Sequence, residues 1–259
     1  MSNITVSQGD GPMRVQVARS ERISSCIQRV TFTGDDLARL RWRGFDQWVR
    51  LFLPTSDPAS LDHVPDRITR GTYARLLTVP ARRRPSVRSY TLRAWRPEAG
   101  ELDIDFVLHG DKGVAGPWAA SARPGDRAAL LDQGCGWPEP SARNLLLAAD
   151  ETGLPAIMGI LRDLPRTARG CALVEIPDPS DAQSVELPSG MELRWLVRSA
   201  DVAPGAMILG ELPQLELPTA DRHAFAVGES ALATGVRRHL VRQRGWARGE
   251  VTFCGYWKC

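Results

Sequence analysis

Three residues on one predicted strand carry most of the chemistry that this sequence offers. Arg88-Ser89-Tyr90-Thr91 contains a fixed cation, a flat ring and a small hydroxyl. Residues two apart on a strand share a face, so we expect Arg88 and Tyr90 to point one way and Thr91 the other. An arginine suits a phosphate, a tyrosine ring can stack on a heterocycle, and a threonine hydroxyl can bond its edge. The structural alternative for Arg88 is an ion pair with Asp105.

A glycine-rich turn follows the next predicted strand and opens a short helix. Residues 113–119 contain Gly113, Gly116 and Pro117. Free backbone N–H groups and the positive end of a helix suit an anion. Combined with the cation, ring and hydroxyl upstream, this turn predicts a site for a flat ring joined to a pyrophosphate, which describes a flavin nucleotide.

Size and composition limit the class of protein. The chain has 259 residues, enough for two modest domains, and is 43% hydrophobic and 24% charged. No apolar run is long enough to span a bilayer, and residues 1–12 lack the apolar core of a signal peptide, so we expect a cytoplasmic protein without membrane insertion. A net charge of +3 is too small to favour nucleic acid as a partner.

The cysteines predict neither a disulfide framework nor a metal centre. There are five, an odd number, and no two of them form a Cys-x-x-Cys pair. Too few lie together for an iron–sulfur cluster. We therefore predict no metal site, and any redox chemistry must come from a bound cofactor.

The first half of the chain reads as short alternating strands separated by turns, which is typical of an antiparallel barrel. The predicted strands are 27–33, 48–53, 88–95, 101–108 and 127–131, with a further possible strand at 73–79.

The second half alternates strands with helices, which predicts a parallel sheet in an α/β domain. Strands are predicted at 144–149, 171–176, 191–197, 223–227 and 251–254, and helices at 152–164 and 229–244. We expect two domains, residues 1–140 and 141–259. Ala149-Asp150-Glu151-Thr152-Gly153 stands where a Gly-x-Gly-x-x-Gly fingerprint would follow the first strand, so a nicotinamide nucleotide would bind without that fingerprint.

Several motifs resemble one family. Arg88-Ser89-Tyr90-Thr91 resembles the Arg-x-Tyr-Thr/Ser flavin motif of the ferredoxin-reductase-like flavoproteins. Further segments resemble the siderophore-interacting proteins, also called ferric-siderophore reductases. These segments are residues 103–110 with the glycine turn, residues 149–157, and residues 227–230 with 255–258. The resemblance spans roughly residues 14–258.

The resemblance implies an FAD-binding antiparallel barrel followed by a Rossmann-like α/β domain for a nucleotide. It implies that Arg88 binds the FAD pyrophosphate, that Tyr90 stacks on the isoalloxazine and that Thr91 bonds its edge. The other residues that it places at the cofactor are Ser89, Val107, His109, Gly110, Val114, Ala115, Gly116 and Trp118.

The implied activity passes electrons from NADH, NADPH or a ferredoxin through FAD to a ferric siderophore and so releases Fe(II). No catalytic side chain is assigned, because FAD transfers the electrons. Ferric siderophores are often anionic, which makes Arg50, Arg93 and Lys258 candidate substrate contacts. A siderophore- or flavin-binding module without turnover and a flavin reductase of the same superfamily stay open as alternatives.

Five residues of the second half each have two alternative roles. Asp150, Thr152 and Glu229 either cap the helices that follow them or face a nucleotide, and the two roles are compatible. Trp257 is either packed or exposed to a cofactor. Arg237 either meets an NADPH 2′-phosphate or belongs to a solvated helix face.

Overall fold

Six antiparallel strands form a closed barrel in a computed structural model that describes residues 11–108 and 113–259. They are β1 (Met13–Arg22), β2 (Ile27–Thr33), β3 (Trp48–Leu53), β4 (Ser86–Arg96), β5 (Glu101–Val107) and β6 (Arg127–Asp132). The strand order is β1-β2-β5-β4-β3-β6, and pairing of β1 with β6 closes the barrel. The predicted antiparallel barrel is confirmed.

Alternating apolar side chains fill this barrel. Val30 and Phe32 of β2, Val49 and Leu51 of β3 and Ile104 of β5 are all fully buried. Because side chains alternate between the two faces of a strand, this pattern fixes which face of each strand turns inward. Two helices accompany the barrel, α1 (Arg70–Thr78) and α2 (Ala115–Ser121).

The strand predicted at 73–79 is wrong, because this segment belongs to α1. Thr69 caps the helix: its hydroxyl accepts the N–H of Thr72 at 3.1 Å, and the Thr72 hydroxyl accepts the N–H of Thr69 at 2.8 Å. Pro80 follows the last turn, where a proline limits extension of the helix. The capping pair and the proline outweigh the β-favouring residues Tyr73 and Val79.

The second half of the chain forms the predicted α/β domain around a five-stranded parallel sheet. Its elements are β7 (Asn144–Ala149), α3 (Leu154–Asp163), β8 (Arg169–Ile176), β9 (Gly190–Val197), α4 (Ala206–Glu211), β10 (Arg222–Glu229), α5 (Ser230–Gln243) and β11 (Val251–Trp257). The strand order is β11-β10-β7-β8-β9. The short helix α4 was not predicted from the sequence.

The chain divides into two compact units. One contains the residues up to Arg43 and Gln47–Gly136; the other contains Gly44–Asp46 and Trp137–Cys259. Within the second unit, the Asp46 carboxylate accepts the N–H of Trp137 at 2.9 Å. In the described parts of the chain, every helix is too short or too polar to cross a bilayer.

Candidate functional site

The start of β4 holds the cation and the ring on one face. Across β3 and β4, Arg88 pairs with Leu51 and Tyr90 pairs with Val49. Directly opposed residues of an antiparallel pair share a face, so Arg88 and Tyr90 lie on the same face as the two buried apolar residues. Thr91, one residue further, lies on the other face.

Aromatic packing fixes the Tyr90 ring. Its centroid lies 4.3 Å from that of Phe106, with the two planes inclined at 40°. Phe106 in turn lies 5.9 Å from Trp118 of α2. Burial raises the pKa of the Tyr90 phenol well above its usual value, against a smaller opposing effect of Arg88. Tyr90 is therefore neutral, and its ring packs on Phe106, which also contacts the predicted cofactor residue Trp118.

Arg88 is exposed and carries no ion pair within the described parts of the chain. Its guanidinium donates a hydrogen bond of 2.8 Å to the carbonyl of Val87. The alternative ion pair with Asp105 does not form, because Arg29 binds that carboxylate through both of its oxygens at 2.7 and 2.8 Å. Arg93 lies 3.6 Å from the same carboxylate. The Arg88 guanidinium is therefore available to an anion.

The beginning of α2 offers backbone donors. The helix begins at Ala115, and Val114 before it supplies no side-chain cap. The first N–H groups of a helix have no acceptor within it, so those of Ala115 and Gly116 have no partner inside α2. Gly116 lies close to the carbonyl of Val107: a Cβ at Gly116 would be 3.5 Å from that oxygen. His109 and Gly110, also predicted to line the cofactor, lie outside the described residues.

A cavity of about 360 Å³ joins two of these features, because both Arg88 and Val114 line it. On the other face of β4, Thr91 is 8% exposed, and within residues 11–108 and 113–259 its hydroxyl makes no side-chain hydrogen bond. Ser89 is exposed. A guanidinium without a carboxylate partner and an uncapped helix start suit a pyrophosphate, and the packed ring suits a flavin. The residues present therefore fit FAD.

Asp150 is a fully buried hydrogen-bond acceptor at the end of β7. One carboxylate oxygen accepts the N–H groups of Thr152 at 2.9 Å and Gly153 at 3.3 Å. The other accepts the N–H of Glu229 at 2.6 Å and the indole N–H of Trp257 at 3.0 Å. This carboxylate ties together the ends of β7, β10 and β11, which favours the capping role over direct contact with a nucleotide.

Glu229 and Trp257 also have protein partners. The Glu229 carboxylate caps α5 by accepting the N–H groups of Ala231 and Leu232, and Glu229 is 4% exposed. Trp257 is half-buried against Asp150. Their contact with a donor nucleotide stays a prediction, as does that of Thr152.

A buried ion-pair network at the same edge of the sheet escaped sequence reasoning. Arg198 donates to both oxygens of Glu151 at 3.1 and 3.0 Å and to Glu175 at 2.6 Å. Glu175 also accepts the N–H groups of Gly205 at 2.7 Å and Met207 at 2.9 Å. The only sequence signal is that the two glutamates and the arginine each lie within two residues of the end of a strand.

Arg237 and Lys258 differ in their surroundings. Arg237 donates to the carbonyls of Val251 at 3.2 Å and Arg248 at 3.3 Å, and its guanidinium lies 4.6 Å from the centre of the Phe253 ring. It is thus held against β11, and its contact with a 2′-phosphate stays a prediction. Lys258 is exposed.

The two candidate substrate residues of the barrel are partly buried. Arg50 is half-buried, and its guanidinium lies 5.9 Å from the centre of the Trp48 ring. The Arg93 side chain is only 17% exposed and lies beside Asp105. This position favours a structural role for Arg93, whereas Arg50 keeps some access to solvent.

Comparison with protein families assigns both halves of the chain. Residues 16–136 match the siderophore-interacting FAD-binding domain, and residues 142–259 match the siderophore-interacting protein model. A siderophore utilization protein from T. fusca has a crystal structure that is 34% identical, with a TM-score of 0.78 over 95% of this chain and 92% of that one. The chain belongs to the siderophore-interacting protein family.

Two relatives of this chain have names that describe an activity. Ferric vibriobactin reductase ViuB of Vibrio cholerae is 30% identical over 95% of this chain and 89% of its own length. The NADPH-dependent ferric-chelate reductase of Escherichia coli is 29% identical over 93% of this chain and 91% of its own length. The family resemblance stated from the sequence is confirmed.

Proposed function

We propose that this protein is an FAD-dependent ferric-siderophore reductase, in which residues 1–140 bind FAD and residues 141–259 receive the electron donor. The arrangement of Arg88, Tyr90 and Thr91 on β4 carries the proposal, since it lies in the part of the chain that matches an FAD-binding domain. The names of the two reductase relatives support the enzyme class and the substrate class.

Each cofactor residue has a definite task in this proposal. Arg88 and the N–H groups of Ala115 and Gly116 bind the pyrophosphate. Tyr90 supports the isoalloxazine from a position that Phe106 fixes. The Thr91 hydroxyl bonds the edge of the ring.

When bound, FAD accepts electrons in a pair and delivers them singly, which suits the reduction of Fe(III) to Fe(II). The iron is part of the substrate, and its release follows because Fe(II) binds the hard oxygen ligands of a siderophore less tightly than Fe(III). The chain itself has to hold ring, donor and acceptor at transfer distance. We therefore assign no catalytic side chain.

The donor is NADPH or NADH, with a ferredoxin as the second proposed donor. Nucleotides bind at the carboxyl edge of such parallel sheets. At that edge Asp150, Glu229 and Arg198 already have protein partners. We infer that Arg237 supplies a charged contact to a donor, and that Arg50 and Lys258 attract the anionic substrate.

The test is an anaerobic reduction of the protein reconstituted with FAD. We expect the flavin absorption to bleach with NADPH, NADH or reduced ferredoxin. It should return on addition of a ferric siderophore while a chelator traps Fe(II). Flavin that no donor reduces would indicate the binding module, and turnover of free flavin without Fe(II) would indicate a flavin reductase. Cell fractionation tests the predicted cytoplasmic location.

A further inference from the structure

Positive charge is concentrated in the segment that contains α1. Residues 67–84 include six arginines and no lysine, aspartate or glutamate, whereas the whole chain has a net charge of +3. Since this segment carries +6, the rest of the chain carries a net charge of −3. Such a local excess of one sign indicates a partner of the opposite sign.

Five of these arginines are exposed, and within residues 11–108 and 113–259 none of their guanidinium groups forms an ion pair. The two acidic residues that precede the segment most closely have other partners. A carboxylate oxygen of Asp66 lies 3.5 Å from the guanidinium of Arg14, and one of Asp62 lies 3.1 Å from that of Arg127. We call the five exposed residues the α1 arginine surface: Arg67, Arg70, Arg75, Arg82 and Arg83.

The barrel holds this segment in place. Leu76 of α1 is 3% exposed and belongs to a buried cluster with Phe52 and Leu61. Beyond the helix, the Thr55 hydroxyl donates to the carbonyl of Arg82 at 3.0 Å. Because both parts of the segment are fixed to the barrel, the backbone that carries the arginines is already ordered when it meets a partner, which limits the entropy that binding costs.

The exposed face of α1 offers little apolar surface to a protein partner. Arg70, Ala74 and Leu77 are exposed at positions i, i+4 and i+7 of the helix, so they form one stripe along it. In residues 67–84, all of which the structure describes, Leu77 is the only large hydrophobic side chain that is exposed, at 51%. A specific protein interface is centred on several aromatic or other large anchors, which this surface lacks.

The five guanidinium groups suit lipid phosphate. Clusters of about four to eight basic residues are attracted to anionic headgroups, and an arginine fork binds a phosphate through two N–H groups. We propose that the α1 arginine surface docks this protein on a membrane rich in anionic phospholipid, with Leu77 at the level of the headgroups. An anionic membrane repels the net negative charge of the rest of the chain, so the same field turns the α1 arginine surface towards the lipid.

Docking brings the reductase to the place where its substrate enters. This benefit rests on the proposed function: a charged ferric siderophore does not diffuse through hydrocarbon and has to be delivered across the membrane. Lipid binding itself needs neither FAD nor an electron donor. Its failure can therefore be told apart from a failure of the proposed reductase activity.

The test is sedimentation of the protein with vesicles of phosphatidylcholine alone and with vesicles that contain phosphatidylglycerol in equal amount. The wild type should bind the anionic vesicles at about 0.1 M salt and leave them at about 1 M, where the Debye length falls from about 10 Å to about 3 Å. Arg82→Ala/Arg83→Ala should weaken this binding about 25-fold, since each arginine near an anionic surface contributes about fivefold, or about 1 kcal/mol. Arg70→Ala/Arg75→Ala should weaken it by about the same factor.

Arg238→Ala/Arg242→Ala provides the matched control. These two arginines of α5 are also exposed and form no ion pair among the described residues, but they lie outside the α1 arginine surface. Their removal lowers the net charge by the same amount and should change vesicle binding less than about twofold. The urea midpoints of all three double variants should agree with that of the wild type, because the replaced side chains are exposed.

Wild type that binds both kinds of vesicle equally, or neither, would overturn the proposal. Equal losses in the α1 and α5 variants would overturn it as well, because they would show an effect of net charge alone. Binding to polyglutamate but not to anionic vesicles would assign the surface to an acidic protein instead. A raised KM for the ferric siderophore in the α1 variants, with unchanged vesicle binding, would assign it to the substrate.

Discussion

Substitution of Arg198 by methionine tests the buried ion-pair network most directly. Among residues 11–108 and 113–259, Arg198 is the single cation paired with Glu151 and Glu175, whose side chains are 3% and 0% exposed, while its own is 10% exposed. Methionine has a similar length and no charge, so it would leave two carboxylates close together without a cation. Of its donors in the described parts of the chain, Glu175 would keep the N–H groups of Gly205 and Met207.

The expected loss of unfolding free energy follows from the burial of the two carboxylates. Removal of one partner from a buried ion pair costs about 3–5 kcal/mol, because the charge that remains stays desolvated. Arg194 provides the control: it pairs with Glu192 at 2.8 Å and Glu211 at 3.5 Å, but its side chain is 39% exposed. Arg194→Met should therefore cost no more than about 1 kcal/mol.

Urea unfolding of the two variants measures the difference. With a slope of about 2 kcal/mol per molar urea, Arg198→Met should lower the midpoint of the second unit by about 1.5–2.5 M. Amide hydrogen exchange should localise the effect to α4, whose first N–H groups Glu175 accepts. Equal losses of stability for Arg198→Met and Arg194→Met would refute the reasoning.

Three further predictions concern the cofactor, the backbone and pH. Arg88→Ala should weaken FAD binding about 10- to 100-fold through lost charge-assisted hydrogen bonds, measured by fluorescence titration, and a change below twofold would contradict the assigned role. Gly228→Ala should lower the free energy of unfolding by more than about 2 kcal/mol, because φ at this position is +118° and the new Cβ would lie 2.5 Å from the Asp150 carboxylate. Gly210→Ala is the control in the same urea assay. It should not destabilise α4, because a Cβ at Gly210 would meet no atom within 4 Å. Burial lowers the pKa of His223 below its usual value of 6.5, against a smaller opposing effect of a nearby carboxylate. The unfolded state therefore binds the proton more readily, and the free energy of unfolding should fall as the pH falls below about 6.5. His223→Gln should flatten this dependence of the unfolding free energy on pH.

Strands of the barrel could be predicted from the sequence because local alternation decides them. The bounds of β2 (Ile27–Thr33) and β3 (Trp48–Leu53) agree with the predicted ranges, since β2 is rich in β-branched residues and Pro54 ends the alternation of β3. Where the pattern is weak, capping decides instead. At α1, the pair Thr69 and Thr72 forms the helix start, although the following residues favour a strand.

The ion pairs could not be predicted from the sequence, because they depend on the order of the strands and local patterns do not indicate that order. Arg29 and Asp105 are directly opposed in β2 and β5, but they are 76 residues apart in sequence. Arg88 is nearer to Asp105 in sequence, which made that pairing a reasonable alternative. Only the order β1-β2-β5-β4-β3-β6 brings Arg29 opposite Asp105 and leaves Arg88 for a ligand.

The charged residues at the two candidate ligand sites differ in their protein partners, and this difference bears on cofactor affinity. In the barrel unit, Arg88 is exposed without a carboxylate partner among the described residues. At the carboxyl edge of the parallel sheet, Asp150 and Glu175 are satisfied by protein donors, and Arg198 is bound between two glutamates. An anion therefore gains more at Arg88 than at Arg198. We expect FAD to remain bound through turnover while a nicotinamide donor binds weakly and leaves readily, as a reductase that must exchange its donor in each cycle requires.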